Sequence, residues 1–101
     1  MRLKSKTDIP PKVREKVLDR DSYDGAPCCI VCGAPYGIEL HHLVSRGRGG
    51  MGVETNLVCL CHKHHMALHQ GDANIKQFCI EYLEGHYDGW TEQDQIFRRD
   101  K

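Results

Sequence analysis

Apolar positions along this chain repeat with two different periods, and each period predicts its own kind of element. Ile75, Phe78, Cys79, Tyr82 and Leu83 recur at i, i+3, i+4, i+7 and i+8, the core-facing stripe of a helix. Gly71 stops the chain before it, Asp72 is placed to cap it and Gly85 to end it, so a helix is expected over about 72–84. A second helix is expected over about 10–20, because Pro10-Pro11 suits a first turn, where a missing N–H costs nothing. Its stripe is thin (Val13, Val17, Leu18), and Lys12, Arg14, Lys16 and Arg20 form the other face, open to a phosphate contact. Ile38–Val44 and Asn56–Leu60 are short apolar runs of strand length, expected to pair as a hairpin. Residues 61–69 read as a short helix, with Leu68 reaching the core. Thr91-x2-Asp94 caps a last short helix, about 91–98, carrying Ile96 and Phe97, with Trp90 anchoring it to the body.

Between the two strands lies Ser45-Arg46-Gly47-Arg48-Gly49-Gly50-Met51-Gly52, the stretch expected to be most flexible. Its backbone N–H groups and the guanidinium forks of Arg46 and Arg48 suit a phosphate backbone. At 101 residues the chain is read as one domain, with residues 1–8 loose and the core at about 29–70. Formal net charge is zero, but the signs are segregated: residues 1–20 hold seven Lys/Arg against three Asp/Glu, and residues 70–101 hold four against seven. That asymmetry is compatible with a polyanion partner. No apolar run approaches the length of a membrane span. The start, Met1-Arg2-Leu3-Lys4-Ser5-Lys6, lacks the apolar segment of a signal peptide, so a cytoplasmic location is expected.

Six cysteines could form three disulfides, but here they interleave with histidines at two- and three-residue offsets, the spacing of metal ligands in a reducing compartment. Cys29-x2-Cys32-Gly33 is a knuckle that aims two thiolates at one ion. On the 61–69 helix, Cys61 and His64 share a face at i, i+3. Cys29, Cys32, Cys61 and His64 therefore make a closed tetrahedral site suited to structural zinc. Cys28 is read as a packed bystander, Cys59 and Cys79 as small buried hydrophobes, and His86 as exposed and idle.

His65 and His69 share a second face of the same helix, roughly 90° from the first. Upstream, His41 and His42 are adjacent on a strand and point to opposite sides. A division of labour follows. One of them binds a second ion with His65 and His69, and the other stays free as a base near it. His62 is the rival of His69 and otherwise a phosphate contact.

The order His41-His42, Asn56 within Asn-Leu-Val, then Cys61-x2-His64-His65 with His69 a turn later, resembles the HNH nuclease family, and the acidic tail with Trp90 resembles its phage-encoded members. The resemblance covers roughly residues 29–69. It implies an α+β domain with a ββα-metal (His-Me finger) core, a structural zinc and flanking helices. It further implies a DNA endonuclease or nickase in which His42 activates water. His41, His65 and His69 would then hold one divalent ion, and Asn56 would tie the strands together. The expected products carry 5′-phosphate and 3′-hydroxyl ends. DNA is the implied partner, with other proteins of a larger DNA-processing complex. Two positions depart from the common family pattern: His41 stands where Asp is frequent, and His64 where Cys is frequent. An all-imidazole site prefers Mn²⁺, Ni²⁺, Co²⁺ or Zn²⁺ over Mg²⁺. The alternative is a non-catalytic zinc-stapled nucleic-acid-binding module.

Overall fold

A computed structural model describes residues 6–97. The elements run α1 (Pro11–Arg20), β1 (Ser22–Tyr23), β2 (Ala26–Pro27), β3 (Ile38–His42), β4 (Leu57–Cys61), α2 (His62–His69) and α3 (Ala73–His86). This is a small α+β arrangement: three helices around two antiparallel two-stranded sheets, β1–β2 and β3–β4. The turn joining β1 to β2 holds Asp24 and Gly25 at φ 55° and 83°, the double left-handed step of a tight hairpin. No helix is long and apolar enough to cross a membrane.

The β3–β4 hairpin is the centre. Its register pairs His42 with Leu57, His41 with Val58, Leu40 with Cys59 and Glu39 with Leu60. Since side chains alternate, Leu57 and Cys59 pack with Val17 of α1 on one face. Val58 and Leu60 join Cys29, Leu43, Cys79 and Leu83 on the other, beneath α3. Burial on both sides explains why β4 is almost uniformly apolar rather than alternating. Its second edge is also closed. The Leu57 carbonyl accepts from Arg20, the Cys59 amide donates to Asp21 Oδ2 at 3.0 Å, and the Cys59 carbonyl accepts from the Ile30 amide.

Several expectations need correction. Arg20 is not part of a solvated cationic face. It is bidentate to Asp21 and also donates to the Glu54 and Leu57 carbonyls and the Tyr87 hydroxyl. Phe78 leaves the α3 stripe and is 41 % exposed, while Cys79 and Leu83 are buried. The helix expected at 91–98 is a single 3-10 turn, Gln93–Gln95, because Ile96 bridges to Gly50 and pulls the backbone into extended form. Residue 98 lies outside the described residues, as do residues 1–5 of the supposed loose start. The remainder of that start is tied down: the Lys6 carbonyl accepts from the Gly52 amide, and the Thr7 carbonyl meets His42.

The Ser45–Gly52 loop is not a free linker either. Its glycines serve close approach: a Cβ on Gly50 would lie 1.7 Å from the Val44 carbonyl oxygen, and one on Gly52 would lie 1.9 Å from that of Asp8. The Met51 amide donates to the Gln95 carbonyl and the Phe97 amide to that of Gly49, so the C-terminal segment holds the loop from outside.

Candidate metal centre and histidine cleft

The Cys29–Gly33 knuckle closes as a tight turn. The Gly33 amide donates to the Cys29 carbonyl at 2.8 Å, and Gly33 itself sits at φ 79°, where a side chain would strain the backbone. The knuckle delivers Cys29 and Cys32. The end of β4 delivers Cys61, which is also the N-cap residue of α2, and the first turn of α2 delivers His64. The donor atoms of these four lie within 4.8 Å of one another, and among the described residues no other group of three or more His, Cys, Asp or Glu side chains converges in this way. Cys32 and Cys61 Sγ are 3.8 Å apart, and His64 Nδ1 lies 3.6 Å from Cys29 Sγ and 3.4 Å from Cys61 Sγ. A tetrahedral ion with Zn–S bonds of about 2.3 Å and a Zn–N bond of about 2.0 Å requires S···S edges near ~3.8 Å and S···N edges near ~3.5 Å. The donor set therefore fits zinc. Cys28 is outside it, its Sγ turned to the Asp21 carbonyl.

Burial would by itself raise the Cys29 thiol, but hydrogen bonds from the Cys61, Cys32 and Val31 amides and from His64 outweigh it and bring it down to about 7. Thiolate is the form a metal takes.

Four other histidines gather in a separate cleft. A cleft of about 420 Å³ is lined by Ile9, Leu40, His41, His42, Ser45, Arg46, His65 and His69. Three consecutive β3 residues line it and none from β4, so it runs along the edge of β3 that β4 leaves unpaired. There, residues from both faces of the strand can reach one space, which is how adjacent histidines come to share it. The rings of His41 and His65 meet edge to face at 4.6 Å. Their donor atoms and those of His69 do not converge as the cysteine site does.

Burial, reinforced by the neighbouring His65, His42 and His69, depresses His41 to about 4, so it is a neutral imidazole at neutral pH and competent to bind metal. His42 is depressed as well, first by burial and then by Arg46, with the Thr7 carbonyl opposing. His42 Nε2 lies 2.9 Å from that carbonyl oxygen. A carbonyl only accepts, so Nε2 carries the proton and Nδ1 holds the lone pair.

Asn56 is wholly buried and does not enter the cleft. Its Oδ1 accepts from the Val44 amide and its Nδ2 donates to the Val44 and Met51 carbonyls, which ties the far end of the loop to the strand bearing the histidines. Arg46 stands exposed at the rim, paired with Asp8 at 2.7 Å; Arg48, also exposed, lines an adjoining cavity that shares His41, His42 and His69, and faces Glu92 at 3.9 Å. His62 does not line the cleft and faces Glu39 Oε2 at 3.6 Å.

Glu39 is the site residue that sequence reasoning missed. Its Oε1 meets His65 Nδ1, and that hydrogen bond holds the Glu39 carboxyl below its usual range. The available signal was strand alternation: Glu39 and His41 are two apart on β3 and share the face that α2 covers.

No family model matches this chain. A stretch of 44 residues is 43% identical to the uncharacterized protein YdfU of Escherichia coli (strain K12), covering 41% of this chain but 12% of that protein's length. The chain is thus similar to a small part of a much longer protein whose name assigns no activity.

Proposed function

We propose that this chain is a metal-dependent DNA endonuclease or nickase of the HNH type, built on a ββα-metal core formed by β3, β4 and α2. One observation carries the reading: His41, His42, His65 and His69, which come from a strand and a helix far apart in sequence, line a single cleft with Arg46 at its rim. His42 is the general base. Its Nε2–H is anchored on the Thr7 carbonyl, so its Nδ1 lone pair is free to take a proton from a water. Depression of its pKa keeps it unprotonated at neutral pH. The water oxygen bonds to phosphorus as its proton passes to His42, the P–O3′ bond breaks, and the leaving 3′ oxygen takes a proton from solvent water, giving 5′-phosphate and 3′-hydroxyl ends.

His41, His65 and His69 are the residues that would hold a divalent ion. When bound, that ion supplies Lewis-acid polarisation of the phosphate and charge stabilisation of the leaving 3′ oxygen. Arg46 and Arg48 would exchange their carboxylate partners for DNA phosphates, a swap that costs little because both pairs are exposed. Asn56 acts at one remove, by fixing the strand end next to His42.

The decisive test is plasmid nicking in a series of divalent ions with wild type and His42→Ala. The expected result is turnover in Mn²⁺, Ni²⁺ or Co²⁺ exceeding that in Mg²⁺, and a loss of at least a hundredfold in His42→Ala with DNA binding retained. Normal cutting by the variant would remove His42 from the mechanism. One observation favours the alternative of a non-catalytic zinc-stapled nucleic-acid-binding module, namely that only the cysteine site has convergent donors. That alternative is established if DNA is bound but never cut with any ion.

A further inference from the structure

The cleft's imidazoles can bind an ion only with the right nitrogen deprotonated and facing inward, and α2 alone cannot enforce this, because a histidine ring on a helix surface can flip. Among the three candidate ligands, His65 has a hydrogen-bond partner that does not line the cleft. Its Nδ1 meets Oε1 of Glu39, while Oε2 of the same carboxylate lies 3.6 Å from His62 Nδ1. Glu39 itself does not line the cleft.

We infer that Glu39 is a positioning residue for the ion, holding His65 in the Nδ1–H tautomer so that Nε2 presents its lone pair to the cleft. The inference rests on the reading of the cleft as an ion site. A carboxylate can only accept, so it selects the proton position on the imidazole it touches. It also pins the ring plane and makes the opposite nitrogen more basic, the device by which carboxylate-backed histidines bind metal more tightly. Strand alternation places it to do so: Glu39 and His41 project from the same face of β3, one behind His65 and the other against its ring. His62, exposed and outside the cleft, lies near the other oxygen of the carboxylate.

The test uses wild type, Glu39→Ala, Glu39→Asp and His65→Ala, each with the cysteine site loaded with zinc and its zinc content measured as the control for folding. Two quantities are read: Mn²⁺ affinity for the second site by titration calorimetry, and the His65 tautomer by nitrogen NMR at pH 8 without added Mn²⁺. The expected result is an Nδ1–H tautomer in wild type, a mixture in Glu39→Ala, and Mn²⁺ affinity weakened by 10- to 100-fold in that variant, with part of the loss recovered in Glu39→Asp. His65→Ala should lose the second site altogether. If Glu39→Ala binds Mn²⁺ as wild type does while His65→Ala does not, the positioning role is overturned and the ion site stands. An Nε2–H tautomer in wild type overturns it too. A wild type that binds no second ion overturns the ion site and this inference together.

Discussion

At the scale of single residues, the side chains that matter most are polar ones that sequence reading placed in loops or on surfaces. Asp21 is buried and gathers Arg20, the Tyr82 hydroxyl and the Cys59 amide; it is the post on which β4's second edge hangs. Read as a linear string, Arg20-Asp21 is an unremarkable charged pair at a helix end. Only the approach of β4 makes it a core element, so its role was not legible. His41 was legible as a ligand candidate, and its environment now gives it a measurable consequence. In the folded chain His41 is held to about 4 by burial and its histidine neighbours, against 6.5 when exposed. Between those values the unfolded chain binds more protons, so stability falls as pH drops from about 6.5 towards 4 and is unaffected by this group above that window. Urea unfolding of the protein at pH 7 and pH 5 should show the loss, and His41→Gln should reduce it. An unchanged pH slope in the variant would assign the acid sensitivity to other groups.

At the scale of elements, the expected helices and strands formed within a residue or two, except at the C-terminal end. α1 and α3 carry strong local signals: proline in the first turn, and an aspartate whose side chain accepts from the Asn74 and Ile75 amides. The last helix failed because its capping bond, Asp94 amide to Thr91 Oγ1, is local, whereas the bridge of Ile96 to Gly50 is not. The glycine loop was misread for a related reason. A run of glycines looks the same whether it supplies freedom or close contact, and only the neighbouring backbone tells them apart. Gly50→Ala and Gly47→Ala separate the two roles. The first puts a Cβ 1.7 Å from a carbonyl oxygen and should cost about 2 kcal/mol or more, with the hairpin end displaced; the second meets nothing within 4 Å and should stay within about 0.5 kcal/mol of wild type. Equal thermal stabilities for the two variants would argue against the packed loop.

At the scale of the whole molecule, the cysteine–histidine site joins segments distant in sequence. It ties the knuckle before β3 to the end of β4 and the start of α2, and so spans the hairpin and its loop. A structural zinc of this type carries an apparent binding free energy of about 10–16 kcal/mol, comparable to the whole stability of a small domain. Chelation should therefore remove one tightly held zinc per chain and unfold the protein, measured by circular dichroism and metal analysis, and Cys61→Ser should do the same without a chelator. A chelated protein that keeps its fold would show that the two hydrophobic clusters suffice alone.

The cysteine site, the three helices and the hairpin were determined by sequence itself, because ligand spacing, capping residues and hydrophobic period are properties of neighbours along the chain. Tertiary structure alone decided that Glu39 stands behind His65, that the Thr7 carbonyl selects the tautomer of His42, and that Arg20 and Asp21 are interior. Each of these depends on two segments meeting across an unpaired strand edge or a closed one, and strand edges have no signature in a linear pattern. Periodicity reports which face a residue is on; it cannot report what arrives from elsewhere to meet it.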